Sequence, residues 1–193
     1  MAQISESEAQ RIVSFVHLLL GPIEYLRLPA PEMDQRIRRR HHAEIAELGD
    51  LGFEYLCSEG QRFPLTRFLR VFPALVAIGV WLQRTPIWIK GGSILFGYPI
   101  LVCRLNPTFV ELDASHAKFI TSFQDGMLLV SGNYDDPMPR PGVLRQFKTG
   151  TLIETWDKHK ARLKALESVG KQVDPRSDYE TYLQASARGR AAW

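Results

Sequence analysis

His159 lies in a segment where Leu152, Trp156, Leu163 and Leu166 recur at helical spacing, so its imidazole belongs to an apolar stripe. A buried imidazole can serve as an acid–base or ligand-binding group. The plainer reading is a core histidine whose ring nitrogens are satisfied by neighbours. Asn133, Tyr134 and Asp135 close an apolar run and open a proline-bearing stretch, grouping an amide, a phenol and a carboxylate. These three, with Trp156 and His159, are the candidate ligand-binding residues, expected around a pocket between a sheet and the helix after Thr151, with Phe119 on its wall. Asp136 adds another oxygen. No twelve-residue calcium loop accompanies the cluster, and Asx side chains capping a turn are the simpler expectation.

Arg36, Arg38, Arg39 and Arg40, followed by His41 and His42, form the densest basic cluster. Such a run can grip phosphates or anionic lipid headgroups, at about 1 kcal/mol per residue near a membrane surface. The competing reading is a solvated helix face. Neither aromatic platforms nor a recognition motif accompany the arginines, which disfavours nucleic acid. His41 and His42 point about 100° apart on a helix and cannot both ligate one metal. Asp113-Ala-Ser-His116 has catalytic residue types, but it lacks a nucleophile elbow and an oxyanion hole. Gly91-Gly92 leads into a strand-like SILF run rather than a helix, so it is no phosphate cradle. Cys57 and Cys103 are far apart, in no CxxC spacing, and read as reduced, buried thiols. No catalytic set, metal site or cofactor is therefore expected.

These residues belong to a chain of 193 residues with 45% hydrophobic and 23% charged content, enough for one globular domain with terminal additions. The formal net charge of +3 is too small to argue for nucleic acid. No signal peptide is apparent, which makes a cytoplasmic location the default. The apolar run IVSFVHLLL (12–20) is followed at once by Gly21-Pro22. Even extended to Leu28 it reaches only about 17 residues, short of the roughly 20 that span a bilayer.

The elements follow from periodicity. A first, mostly apolar helix is expected over 5–20 and a second from near Glu32, with Pro31 in its first turn and Met33, Ile37, His41, Ile45 and Leu48 on one face. From Phe53 to Asn133 the signals turn to five to eight strands, LVAIGVWL (75–82) among them. Gly91-Gly92 sets Ile89 opposite Ile94, and Ala114-Ser115 sets Glu111 opposite Lys118. Asp125-Gly126, read as a two-residue loop, sets Phe123 opposite Leu128 and Thr121 opposite Val130. That register gathers Phe119, Thr121, Phe123, Leu128 and Val130 on one face, and Ile120, Ser122, Leu129 and Ser131 on the other. Residues 135–150 read as one long connection. Thr151 and Ser177 each open a capping box, for a helix to about Ser168 and a short last helix.

The apolar start IVSFVHLLL, the helix ending AELGDLGFEYL, the FQDGMLLVSGN hairpin and the closing WDKHKARL segment together resemble a group of uncharacterised bacterial proteins that often carry N-terminal membrane helices. The resemblance covers most of 12–166. It implies an α+β domain held near a membrane and no particular activity.

The expectation is an α+β fold, a largely antiparallel meandering sheet flanked by N-terminal and C-terminal helices that cover one face. Residues 1–30 form an apolar helix and break, 31–168 the domain, and 169–193 a linker and short helix. The expected function is a non-enzymatic interaction or scaffold role, at the inner face of the membrane or within an assembly. Its partners would be a protein, a second copy or an anionic membrane surface rather than nucleic acid. The alternative is a small-molecule binding protein, with a hydrolase-like enzyme behind it.

Overall fold

Apolar, β-branched and aromatic runs bounded by Gly, Pro and Asx turns assemble one sheet with helices on both sides. The computed structural model describes residues 24–27, 31–64, 87–90, 93–113, 116–134 and 142–191. The expected helix over 5–20, the strand over 75–82, the turns at Gly91-Gly92 and Ala114-Ser115, and Asp135 lie outside the described residues.

Strand β1 (Glu24–Arg27) is followed by helices α1 (Pro31–Arg40) and α2 (His42–Asp50). Then come β2 (Phe53–Pro64), β3 (Ile87–Lys90), β4 (Ser93–Cys103), β5 (Thr108–Asp113), β6 (His116–Ser122), β7 (Leu128–Gly132) and β8 (Val143–Phe147). Helices α3 (Leu152–Ser168) and α4 (Tyr179–Ala191) end the chain. The eight strands run in the order β1-β2-β4-β5-β6-β7-β8, with β3 also paired to β4. Every pairing is antiparallel except β7 with β8. The fold is thus α+β with a mostly antiparallel sheet. Two strands fall outside the stretch read as sheet: β1 lies in the presumed N-terminal break, and β8 in the presumed long connection.

Two of the three expected hairpin registers are observed. Ile89 opposes Ile94, and Glu111 opposes Lys118. The Asp125-Gly126 hairpin is shifted by one residue: Thr121 opposes Leu129 and Ser122 opposes Leu128. The cause is a three-residue loop. Gly126 N–H donates to the Phe123 carbonyl at 2.9 Å, Phe123 N–H to the Met127 carbonyl at 2.9 Å, and Gly126 takes φ 84°. This is a type I turn closed by a left-handed glycine bulge. A slip of one residue exchanges the faces of a strand. Leu129 and Ser131 therefore lie with Phe119, Thr121 and Phe123, while Leu128 and Val130 lie with Ile120.

A bulge between Tyr55 and Cys57 has a similar consequence in β2. Phe53 joins the core beneath α2 and α3, whereas Cys57 joins the opposite core with Tyr98 and Ile100. The helices consequently cover both faces, not one. Leu48 of α2 and Leu152, Trp156, Leu163 and Leu166 of α3 pack on one side. Tyr182 and Ala185 of α4 pack on the other, against Phe109 and Ile120. The last helix is thus part of the domain core, beyond the boundary drawn at residue 168. Its N-cap is Asp178, one residue later than expected, whose carboxylate accepts from Thr181 N–H at 2.8 Å.

The chain passes between the faces around the end of the β6–β7 hairpin. Gln124 N–H donates to the Gln172 carbonyl and Asp174 N–H to the Ser122 carbonyl, both at 2.9 Å, and Lys171 is ion-paired with Asp125. The capping box at Thr151 is present: Glu154 N–H donates to Thr151 Oγ1 at 3.2 Å, and Thr151 N–H to Glu154 Oε2 at 3.1 Å.

Candidate functional site

Each of the two C-terminal helices places one polar aromatic side chain against its face of the sheet. On α3 that residue is His159, which the 3–4 spacing from Trp156 and Leu163 directs into the core with 0% exposure. Its Nδ1 lies 2.8 Å from Ser131 Oγ and its Nε2 lies 2.9 Å from Thr121 Oγ1. Thr121 Oγ1 is in turn 2.7 Å from Thr108 Oγ1, and Ser131 Oγ donates to Gln146 Oε1 at 3.4 Å. One proton arrangement satisfies the whole row. Thr108 donates to Thr121, Thr121 to Nε2, and Nδ1–H to Ser131. A neutral imidazole fits this row, and burial pushes its pKa down to about 3.

Trp156 is buried in the same core. Its ring centroid lies 4.9 Å from that of Phe53 and 5.5 Å from that of Phe119, and it stacks on His159 at 5.7 Å. The pocket expected between the sheet and this helix is filled by the side chains that were to line it. A depression of about 210 Å³ beside Ser131, Gly132, Gln146, Phe147, Lys148, Thr155 and Lys158 leaves Trp156 and His159 out of its wall. His159 and Trp156 are core residues, and Ser131 joined them through the one-residue slip in the hairpin.

On the opposite face, Tyr182 of α4 is equally buried but meets charges. Its hydroxyl donates to Glu59 Oε2 at 2.6 Å and lies 3.0 Å from Glu111 Oε1. Tyr98 donates to the same Glu59 oxygen at 2.6 Å, Ser186 Oγ donates to Glu111 Oε1 at 3.2 Å, and Lys118 pairs with Glu111 Oε2. Burial and the neighbouring carboxylates raise the Tyr182 phenol well above its ordinary pKa. The β2 bulge helps to build this group, because it turns Glu59 toward the face that carries Tyr98 and Tyr182.

Above this group opens a cleft of about 270 Å³ lined by Tyr98, Glu111, Asp113, His116, Lys118 and Tyr134. Tyr134 is half-buried, its ring 5.1 Å from that of His116 and 5.0 Å from that of Phe147. Those rings cross Gly132 closely: a Cβ there would lie 2.6 Å from Phe147 and 2.9 Å from Tyr134. Of the candidate ligand-binding residues, Tyr134 lines this cleft, together with Asp113 and His116 from the Asp113–His116 segment. Asn133 is structural, its Oδ1 accepting from Ala117 N–H at 2.7 Å. Sequence reading missed Tyr98, Glu59, Glu111 and Tyr182 as a group, because their partners lie 39 to 123 residues apart in the chain.

Arg36, Arg38, Arg39 and Arg40 are all exposed on α1, and the Arg38 guanidinium lies 4.7 Å above the Tyr55 ring. Tyr55 in turn hydrogen-bonds Asp34 and Ser58. Ile37, His41 and Leu48, on the face expected from the 3–4 spacing, are buried. Cys57 and Cys103 are both buried thiols. Among the described residues, no three His, Cys, Asp or Glu side chains converge to hold a metal ion. No helix among the described residues is long and apolar enough to cross a membrane.

Comparison with known proteins finds no matching family model, no matching curated protein and no matching solved structure.

Proposed function

We propose that this chain is a non-enzymatic interaction domain held at the inner face of a membrane by the far end of its sheet. One observation carries the reading. The strands β1, β2, β4 and β3 pair side by side at this end of the sheet, and the chain joins residues 1–23 and 65–86 there. Glu24 pairs with Arg62, Pro64 is the outermost residue of β2 opposite Ser93, and Ile87 pairs with Phe96. At about 3.3 Å per residue and 4.8 Å between strands, the three junctions fall within roughly 10 Å lengthwise and 14 Å across. The two sequence intervals tied to this end contain the apolar runs IVSFVHLLL (12–20) and LVAIGVWL (75–82).

Apolar runs of this length suit insertion at a bilayer interface, with anionic headgroups attracting nearby cations. The exposed arginines of α1 supply such cations. The closed His159 row supports the non-enzymatic part of the reading, because no substrate reaches that imidazole. The test is flotation of the full-length chain with vesicles of phosphatidylcholine and phosphatidylglycerol. The chain should float and remain bound at high salt, and replacing apolar residues in 75–82 by serine should release it. A chain that stays at the bottom of the gradient with both neutral and anionic vesicles contradicts the proposal.

A further inference from the structure

We propose that His41 makes the α1–α2 corner an acid-sensitive latch, which holds both helices on the sheet at neutral pH and releases them as the pH falls. The inference is independent of how the sheet end is attached. His41 stands at the joint between the helices, where a ψ of 24° interrupts them. Its N–H donates to the Ile37 carbonyl at 3.0 Å and its carbonyl accepts from Ile45 N–H at 2.8 Å, so its backbone is tied to both helices. The side chain does not cap α2. It is 1% exposed, and its Nε2 is buried with no hydrogen-bond partner among the described residues. His159 is as deeply buried, but both of its ring nitrogens are bonded.

A neutral imidazole fits this position. In the imidazolium both ring nitrogens carry hydrogen, so Nε2 becomes a buried donor without an acceptor and brings a charge with it. Glu44 on α2 and Asp113 at the end of β5 attract a proton to His41, whereas Arg40 on α1 repels it. Burial outweighs the carboxylates and lowers the pKa. The remaining titratable groups of the packed elements are turned elsewhere. His42 is exposed, Asp34 bonds Tyr55, Glu54 is exposed beside Arg104, Glu59 accepts from Tyr98 and Tyr182, and the His116 ring meets Tyr134. Once the corner lifts, His41 meets water and titrates near its ordinary 6.5. The released form therefore takes the proton first, and docking, complete above pH 6.5, weakens as the pH falls. The corner can lift alone because neither helix contributes a strand pairing. Buried Ile37 and the Arg38–Tyr55 contact hold α1, and Leu48 with half-buried Ile45 holds α2. Release frees the helix that carries Arg36, Arg38, Arg39 and Arg40 from the sheet.

The test is amide hydrogen exchange of the full-length chain at pH 7 and pH 5.5, corrected for the intrinsic pH dependence of exchange. Residues 31–50 should open more readily than α3 at both values, which marks release short of global unfolding. Their opening constant should rise on acidification by up to about eightfold, the limit for one proton taken up near pH 6.5. His41→Phe, which fills the site with a ring that cannot titrate, should abolish that rise in 31–50 and leave the acid response of α3 through His159 in place. His41→Leu serves the same purpose if the larger ring does not fit. The proposal is overturned if 31–50 opens only together with α3, if its opening constant is the same at both pH values, or if the rise survives in the variant.

Discussion

The two faces of the sheet solve the same packing problem with opposite chemistry. On the α3 face, His159 is satisfied by the hydroxyls of Ser131 and Thr121, neutral and closed beneath aromatic rings. On the α4 face, Tyr182 is satisfied by the carboxylates of Glu59 and Glu111, charged and bordered by an open cleft. Neutral polar rows cost little to bury once each donor is paired, and they fix register. Carboxylates at a half-open boundary keep an electrostatic field that a ligand can use. The first face is closed by its own side chains, and the second borders an open cleft.

The largest effect should come from emptying the closed face. His159→Ala removes a fully buried ring and leaves two hydroxyls without their partner, a loss of about 2–4 kcal/mol in urea unfolding. Tyr182→Phe on the other face keeps the ring volume and removes the hydroxyl, for about 1–3 kcal/mol. Its signature should be faster amide exchange across 179–191 while the α3 core stays protected. Equal loosening of both helices in this variant would break the contrast between the faces.

Acid should also act through the closed face. In the unfolded chain His159 titrates near 6.5, whereas in the fold it stays neutral down to about 3. Between these values the unfolded state binds the extra proton, so stability is complete above pH 6.5 and declines as the pH falls toward 3. The slope approaches 1.4 kcal/mol per pH unit, giving a loss of about 2 kcal/mol between pH 6.5 and 5. His41, also lowered by burial, adds in the same direction. The urea midpoint measured from pH 7 to 5 should fall, and a His159→Gln variant should show a shallower dependence.

Smaller again is Gly126→Ala. A left-handed φ of 84° at a loop residue costs an alanine about 1 kcal/mol, and Gly126→Asn should recover part of it. Smallest is Arg104→Ala, whose ion pair with Glu54 is exposed on both sides, so its midpoint should stay within about 0.5 kcal/mol of the parent.

The sequence made local pairings legible and left the long-range ones hidden. Glu111 opposite Lys118 and Ile89 opposite Ile94 follow from alternation and turn position, and both are observed. The stripe through Trp156 and His159 likewise placed α3 on the sheet. Asp125-Gly126 marked the hairpin but not its register, because the same dipeptide serves two-residue loops and three-residue loops with a glycine bulge. That ambiguity hid the partnership of Ser131 with His159. Strand β8 was hidden because VLRQF follows a proline-bearing stretch and pairs in parallel, which no local turn announces. The Glu59–Tyr182 contact was hidden for a different reason: a bulge at a single residue decides which face Glu59 joins, and alternation cannot foresee it.

The attachment of the sheet end is tested most directly by fluorescence quenching with vesicles of brominated phosphatidylglycerol. Single probes would be placed at Ser93, the outermost residue of β4, and at Arg104, just beyond its other end. Across the eleven residue steps between them these positions are separated by about 36 Å. The account predicts strong quenching at residue 93 and none at residue 104. Equal quenching at both positions, or quenching confined to residue 104, would contradict it.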